Sequence, residues 1–321
     1  MPALSAMLGA ALWLLGAQPV PPPAAQPAPP QPAAPQVMTP PGAEDTLEGV
    51  TVTGQRNPSR QSQVISAFVR ELEGTTVRDR MPRWEGRVCP GVSGLEPAKA
   101  AYIPDRIAEE AVAVGVEVAK PGCKPSVLIV VTTDPNTYAE AFRRKQPGFF
   151  ADKPAPGELQ SDARGRDVFV SGSPETGGAG QRLRDFLVAD RPVRWWHVSS
   201  RTETFIPNAG RIYSPVREDL TRALIIVDAD QLGGVTWEQL AGYLAMVVLA
   251  HPGPNSEPRQ LDSILALFAD RAEGKVPVKT LTAWDRGYLK GLYGAPEHVR
   301  NLTAQRAEIQ RTLERLGAVA P

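Results

Sequence analysis

Neither sign of charge is in excess in this chain: 35 Lys and Arg are matched by 35 Asp and Glu, and the pI is near 6.9. Such a balance leaves no electrostatic footprint for nucleic acid, and no nucleic-acid partner is expected. Aromatic residues are scarce, at 6%. Cysteine is limited to Cys89 and Cys123 and histidine to His197, His251 and His298. Two cysteines without clustered histidines make a poor metal site. No Gly-x-Ser-x-Gly elbow offers an activated serine, and Ser199 and Ser200 stand beside His197 only in sequence. The glycines of "GSPETGGAGQ" (172–181) lack both the phosphate-loop lysine with its hydroxyl partner and dinucleotide-type spacing, so the stretch reads as a flexible loop. No cofactor is implied, and no internal repeat is visible.

Charge is also missing locally, since the first 43 residues carry no ionisable side chain. They divide into an apolar run, 3–17, and a Pro/Ala/Gln tract reaching about residue 41. The run is too short to span a bilayer and suits a secretory signal peptide over 1–18, with small Gly16 and Ala17 before cleavage, although no basic residue precedes it. A periplasmic or secreted protein follows, without stable membrane insertion after cleavage. No cysteine trails the leader to carry a lipid. Residues 19–60 read as a disordered, polyproline-like spacer, because proline lacks a donor and the tract offers little to bury. Within it "TLEGVTVTGQR" (46–56) resembles the short energising segment of TonB-dependent outer-membrane receptors and contains one β-prone strand, 49–53. In an exported context Cys89 and Cys123 predict a disulfide.

The remainder, 61–321, reads as a single globular domain. Val64, Ile65, Phe68 and Leu72 share a helical face, with Gly74 as the stop. Residues 97–115 read as a helix, or a helix pair interrupted at Pro104, with Ile107, Ala111 and Val114 inward. "PSVLIVVTT" (125–133) is continuously apolar, as a strand buried on both faces is, and Asp134 and Pro135 open the next helix. After Phe149 and Phe150 the chain to Gly180 is polar, a surface excursion with one short strand at 167–170; a short helix over 182–189 follows. "RPVRWWHVSSRT" alternates, placing Val193, Trp195 and His197 on one face against Arg194, Trp196 and Val198. One tryptophan is therefore expected in the core and the other either partly exposed, as a binding surface, or packed as well between sheet and helices. "RALIIVDAD" (222–230) is a second apolar strand. Thr236 with Gln239 and Thr282 with Asp285 are capping pairs for a buried helix, 237–250, and for one running through Tyr293; an amphipathic helix, 302–316, closes the chain. The fold class is α/β or α+β, a mixed central sheet with flanking helices.

The order of strand, buried helix, "SIL" turn and "LT..D...L..LYG" resembles the C-terminal half of the metzincin metallopeptidases. In them the buried helix carries two zinc histidines and a glutamate, a Met-turn lies under the metal, and a last helix packs Leu and Tyr behind the site. The match places Ser263, Ile264 and Leu265 at the Met-turn and Leu281, Thr282, Asp285, Leu289, Leu292, Tyr293 and Gly294 in the closing motif, about seventy residues in all. The whole chain also resembles exported proteobacterial proteins of unknown function. Where the zinc motif belongs the helix reads "QLAGY" (239–243), without an imidazole pair, so the resemblance implies a metzincin-like scaffold that binds no metal.

The function expected from these readings is non-catalytic binding or scaffolding for a protein, peptide or saccharide, with Trp195, Trp196, His197 and Asp228 as binding residues. The alternatives are a hydrolase drawing on His197, Asp228, Asp230 and Glu238, and a TonB-linked accessory protein. A meeting of His197, His251 and an acidic side chain around one point would turn the reading toward a peptidase.

Overall fold

The computed structural model describes residues 59–73, 80–150, 158–161, 167–172, 179–204, 216–296 and 301–317. The expected signal peptide, the spacer up to residue 58 with its TonB-box-like segment, Gly74, residues 173–178 of the glycine-rich stretch, and His298 lie outside them. The chain divides into two units, Met1–Gln55 and Arg56–Pro321, and every described element belongs to the second.

The two apolar runs form the middle of the sheet. They are β2 (Val127–Thr132) and β6 (Val216–Asp228), which pair in parallel with Val127 opposite Ala223. β1 (Pro90–Ser93) adds in parallel on the outer side of β2. β5 (Val193–Thr204) lies antiparallel to β6, with a register irregularity at Val198/Ser199. β3 (Glu158–Ser161) and β4 (Asp167–Gly172) continue the sheet in antiparallel pairing, giving the order β1-β2-β6-β5-β4-β3. The surface excursion expected between Phe149 and Gly180 therefore supplies two strands. Their backbone joins a ladder that β5 already templates, which compensates for a weak apolar pattern.

Alternation along the strands sends side chains into two cores. Val127, Ile129, Val131, Ala223, Ile225, Val227, Val193 and Trp195 face the larger one. It is roofed by α1 (Arg60–Leu72), α2 (Pro97–Ala113), α5 (Trp237–Ala250), α7 (Ala283–Gly294) and α8 (Leu302–Gly317), while a short α6 (Leu267–Ala272) lies between α5 and α7. Val130, Leu224, Ile226 and Trp196 face the smaller core, closed by α3 (Pro135–Lys145), α4 (Ala179–Val188) and the Phe149–Phe150 corner. The architecture is thus mixed α/β, with helices on both faces.

Two open expectations are decided. α2 runs unbroken through Pro104, because Ile103, Ile107 and Ala111, all fully buried, seat both halves on one core face and hold the axis across the missing donor. Trp195 and Trp196 do project to opposite faces, yet both are buried, at 8% and 5% exposure. A helical layer on each side of the sheet leaves neither ring on the surface. Phe150 and Phe186 pack at the Trp196 ring with centroids 5.4 and 5.9 Å away.

The expected cysteine pair is a disulfide, Cys89–Cys123, with Cα atoms 6.3 Å apart. Cys89 precedes β1, and its carbonyl accepts from the amides of Ser126 and Val127 at 3.0 and 3.1 Å, so the bond anchors the β1–β2 end of the sheet. None of the described helices is long and apolar enough to cross a membrane.

Candidate functional site

The site is built where α5 ends. Thr236 and Gln239 satisfy each other's backbone amides at its start, and every residue from Gln239 to Ala250 is buried. A helix buried to its last turn cannot give its terminal carbonyls to water, so other groups must supply donors. Side chains do so here. Trp84 Nε1 donates to Val248 O at 2.8 Å, and the Tyr293 hydroxyl donates to Leu249 O at 2.9 Å. Trp195 Nε1 donates to Pro252 O, just past the helix, at 3.0 Å. His251 is the C-cap, at φ 49° and ψ 53°, the one non-glycine residue with positive φ among those described. Pro252 behind it bars a further turn.

This turn carries His251 onto His197. The two rings meet edge to face with centroids 4.7 Å apart. His197 is 3% exposed, and its Nε2 has no hydrogen-bond partner; His251 Nδ1 and Arg194 Nε are buried and unpaired as well. Burial, which strips water from an imidazolium, holds His197 well below the ordinary imidazole range; His251 and Arg182 add to the effect and the Val247 carbonyl opposes it. Burial, then Arg182, lowers His251 to about 4. Both rings are therefore neutral at neutral pH.

They form one wall of a cavity of about 130 Å³. Phe186, Trp195 and Trp196 supply its apolar lining; Arg182, Arg191 and Arg194 bring three cations and Asp185 one carboxylate. Arg194 is held rigidly, donating to Phe186 O and Leu187 O at 2.9 Å each and to Asn136 Oδ1 at 2.7 Å. Residues from both faces of β5 line this cavity, which lies along Arg194–His197, beyond the described β4 pairing at Ser200–Thr204. A second cavity of about 40 Å³ shares Arg191, Trp195, Pro254 and Asn255 with the first and reaches Tyr243 on α5.

Of the residues singled out from sequence, Trp195, Trp196 and His197 line this cavity, all of them buried, and the Arg182 guanidinium lies over the Trp196 ring, 5.0 Å from its centroid. Asp228 does not. It ends β6, accepting from Asp230 N and Gln231 Nε2 at 3.0 Å each, and caps the turn Ala229–Gln231. His197 pairs with Ala223 in the ladder, so Asp228 is five residues farther along β6, roughly 17 Å at strand rise. Glu238 is exposed in the first turn of α5, about 20 Å from the His251 end at helical rise. These carboxylates do not share a pocket with His197. Neither Ser199 nor Ser200 lines the cavity. Sequence reasoning named a meeting of His197 and His251 only as a condition for a peptidase and did not single out Arg182 and Arg191; no spacing rule links residues 54 positions apart on a strand and a helix cap.

The residues matched to the metzincin closing motif do contact one another. Ser263 Oγ donates to Asp285 Oδ1 at 2.6 Å, and the Ile264 and Thr282 amides donate to Asp285 Oδ2 at 2.9 Å each, tying the "SIL" turn to the start of α7. Leu289 and Leu292 are fully buried, and Tyr293 reaches Leu249 O. At "QLAGY" the side chains offer zinc no imidazole, and among the described residues no group of three or more His, Cys, Asp or Glu could hold a metal ion. His197 and His251 meet without the acidic neighbour that a peptidase reading needs; Asp185 is at the exposed rim. Comparison of the chain with family models, curated proteins and solved structures found no match.

Proposed function

We propose that this is an exported, non-catalytic binding protein on a metzincin-like scaffold without metal, and that it recognises a peptide or protein partner through the cavity at the end of α5. The observation that carries the reading is the unpaired, buried Nε2 of His197 in a cavity walled by aromatic rings and arginines. Buried polar atoms are almost always paired, and the exceptions gather where a ligand supplies the missing partner. Binding rather than hydrolysis is favoured because among the described residues no carboxylate orients either imidazole, so neither ring has the support of a general base poised near neutral pH. A peptide is favoured over a saccharide because both tryptophan faces are packed away, which removes the stacking platform a sugar uses. The disulfide fits an oxidising compartment.

Selection from a random peptide library, run in parallel on the wild type and on Ala189→Trp, tests the reading. Ala189 lines the cavity and is only partly buried, so a large ring there blocks the opening while the core is spared. Enriched peptides that bind at least tenfold more weakly to the variant, and that are recovered uncleaved, support it. Peptides indifferent to the substitution, or cleaved during incubation, contradict it.

A further inference from the structure

We propose that the ligand group admitted by this cavity is a carboxylate on a small apolar body, bound together with one proton that the His197–His251 pair takes from solvent. The inference rests on the binding reading above and names the chemistry of its ligand. Three arginines against one aspartate give the lining an excess of positive charge, which favours an anion and disfavours a metal cation. Arg194, pinned by α4 carbonyls and Asn136, keeps an unpaired Nε for an acceptor. The aromatic rings match an apolar body, and about 130 Å³ is close to the volume of roughly 150 Å³ known to hold benzene.

The proton follows from the two imidazoles on the cavity wall, which burial keeps neutral. A carboxylate beside them favours the charged form of a ring, and protonation of one of the two gives a charge-assisted hydrogen bond. Without a bound anion, burial, His251 and Arg182 oppose protonation of His197; the other charged side chains lining the cavity among the described residues are Arg191 before β5, Arg194 from the opposite face of β5 and Asp185 on α4. A bound anion reverses the balance. Affinity for the carboxylate must then rise as pH falls, by tenfold per pH unit where one proton is taken up per ligand.

The test is isothermal titration of the full chain with benzoate, with its neutral isostere benzamide, and with N-acetyl-alanyl-phenylalanine as free acid and as C-terminal amide. Each is run at pH 8, 7 and 6 and in two buffers of different ionisation enthalpy. The expected result is uptake of about one proton per benzoate, affinity rising about tenfold per pH unit, and benzamide at least tenfold weaker at pH 6. In His197→Gln, judged folded by an unchanged circular-dichroism spectrum, the pH dependence and the proton uptake disappear. Peptide acid binding more tightly than benzoate identifies a peptide C-terminus as the source of the carboxylate; benzoate alone binding identifies a free small acid. Amide and acid binding equally, or binding without proton uptake, overturns the carboxylate inference and leaves the binding reading standing. No binding of any of the four overturns both.

Discussion

His197 and His251 enter the folded state at a cost that depends on pH. In the unfolded chain an imidazole titrates near 6.5, whereas burial lowers His251 to about 4 and His197 well below its ordinary range. Above pH 6.5 both states carry neutral rings and the pair contributes no pH dependence. Below it the unfolded chain gains protons that the native chain refuses, so stability falls with pH, by roughly 1.4 kcal/mol per unit for each histidine, down to the folded value. Urea unfolding of the wild type and His197→Gln at pH 7, 6 and 5 checks this. The variant is expected to lose about half of the pair's acid sensitivity, and parallel curves would contradict the assignment. At the same scale the tryptophans show what one sequence could not disclose. Alternation separated their faces correctly, but their burial depends on α4 and the Phe149–Phe150 corner arriving on the second face, and the 182–189 stretch is too mixed in polarity to announce that.

Among the elements, the tie between the "SIL" turn and α7 depends on Asp285, fully buried and bonded to Ser263, Ile264 and Thr282. Burial raises its carboxyl pKa against those hydrogen bonds. Asp285→Ala removes the helix cap and leaves buried donors unpaired, and a loss of about 3 kcal/mol is expected in denaturant unfolding. The α7–α8 contact makes a second prediction by contrast. A Cβ on Gly291 would stand 2.7 Å from the Ile309 Cα, which is backbone and cannot yield, while one on Gly287 meets only the ends of Leu313 and Leu316 side chains. Gly291→Ala is expected to cost about 1–3 kcal/mol, whereas Gly287→Ala stays within about 1 kcal/mol because the gain in helix propensity offsets the repacking. Much at this scale was legible: the β2 and β6 runs, the Asp134, Thr236 and Thr282 caps and the closing amphipathic helix all sit where local pattern puts them. β3 and the continuity of α2 through Pro104 were not, because each is imposed by a neighbour rather than by its own residues.

At the scale of the molecule, two elements remote in sequence meet at the cavity: the first half of β5, and the end of α5 at His251. At the opposite edge of the sheet the disulfide closes a 34-residue separation. Cys89→Ala with Cys123→Ala is expected to lower stability by about 3–4 kcal/mol from loop entropy, leaving benzoate affinity unchanged because two strands, β2 and β6, lie between β1 and β5. A variant that lost ligand binding while still folded would contradict that separation. The central claim is that two neutral imidazoles share one ligand cavity. With only three histidines in the chain, nitrogen NMR of imidazole-labelled protein tests it most directly. The account predicts that His197 and His251 stay neutral from pH 8 to pH 6 and that benzoate at pH 6 protonates one of the two rings. Both rings titrating near pH 6.5, with no response to benzoate, would contradict it.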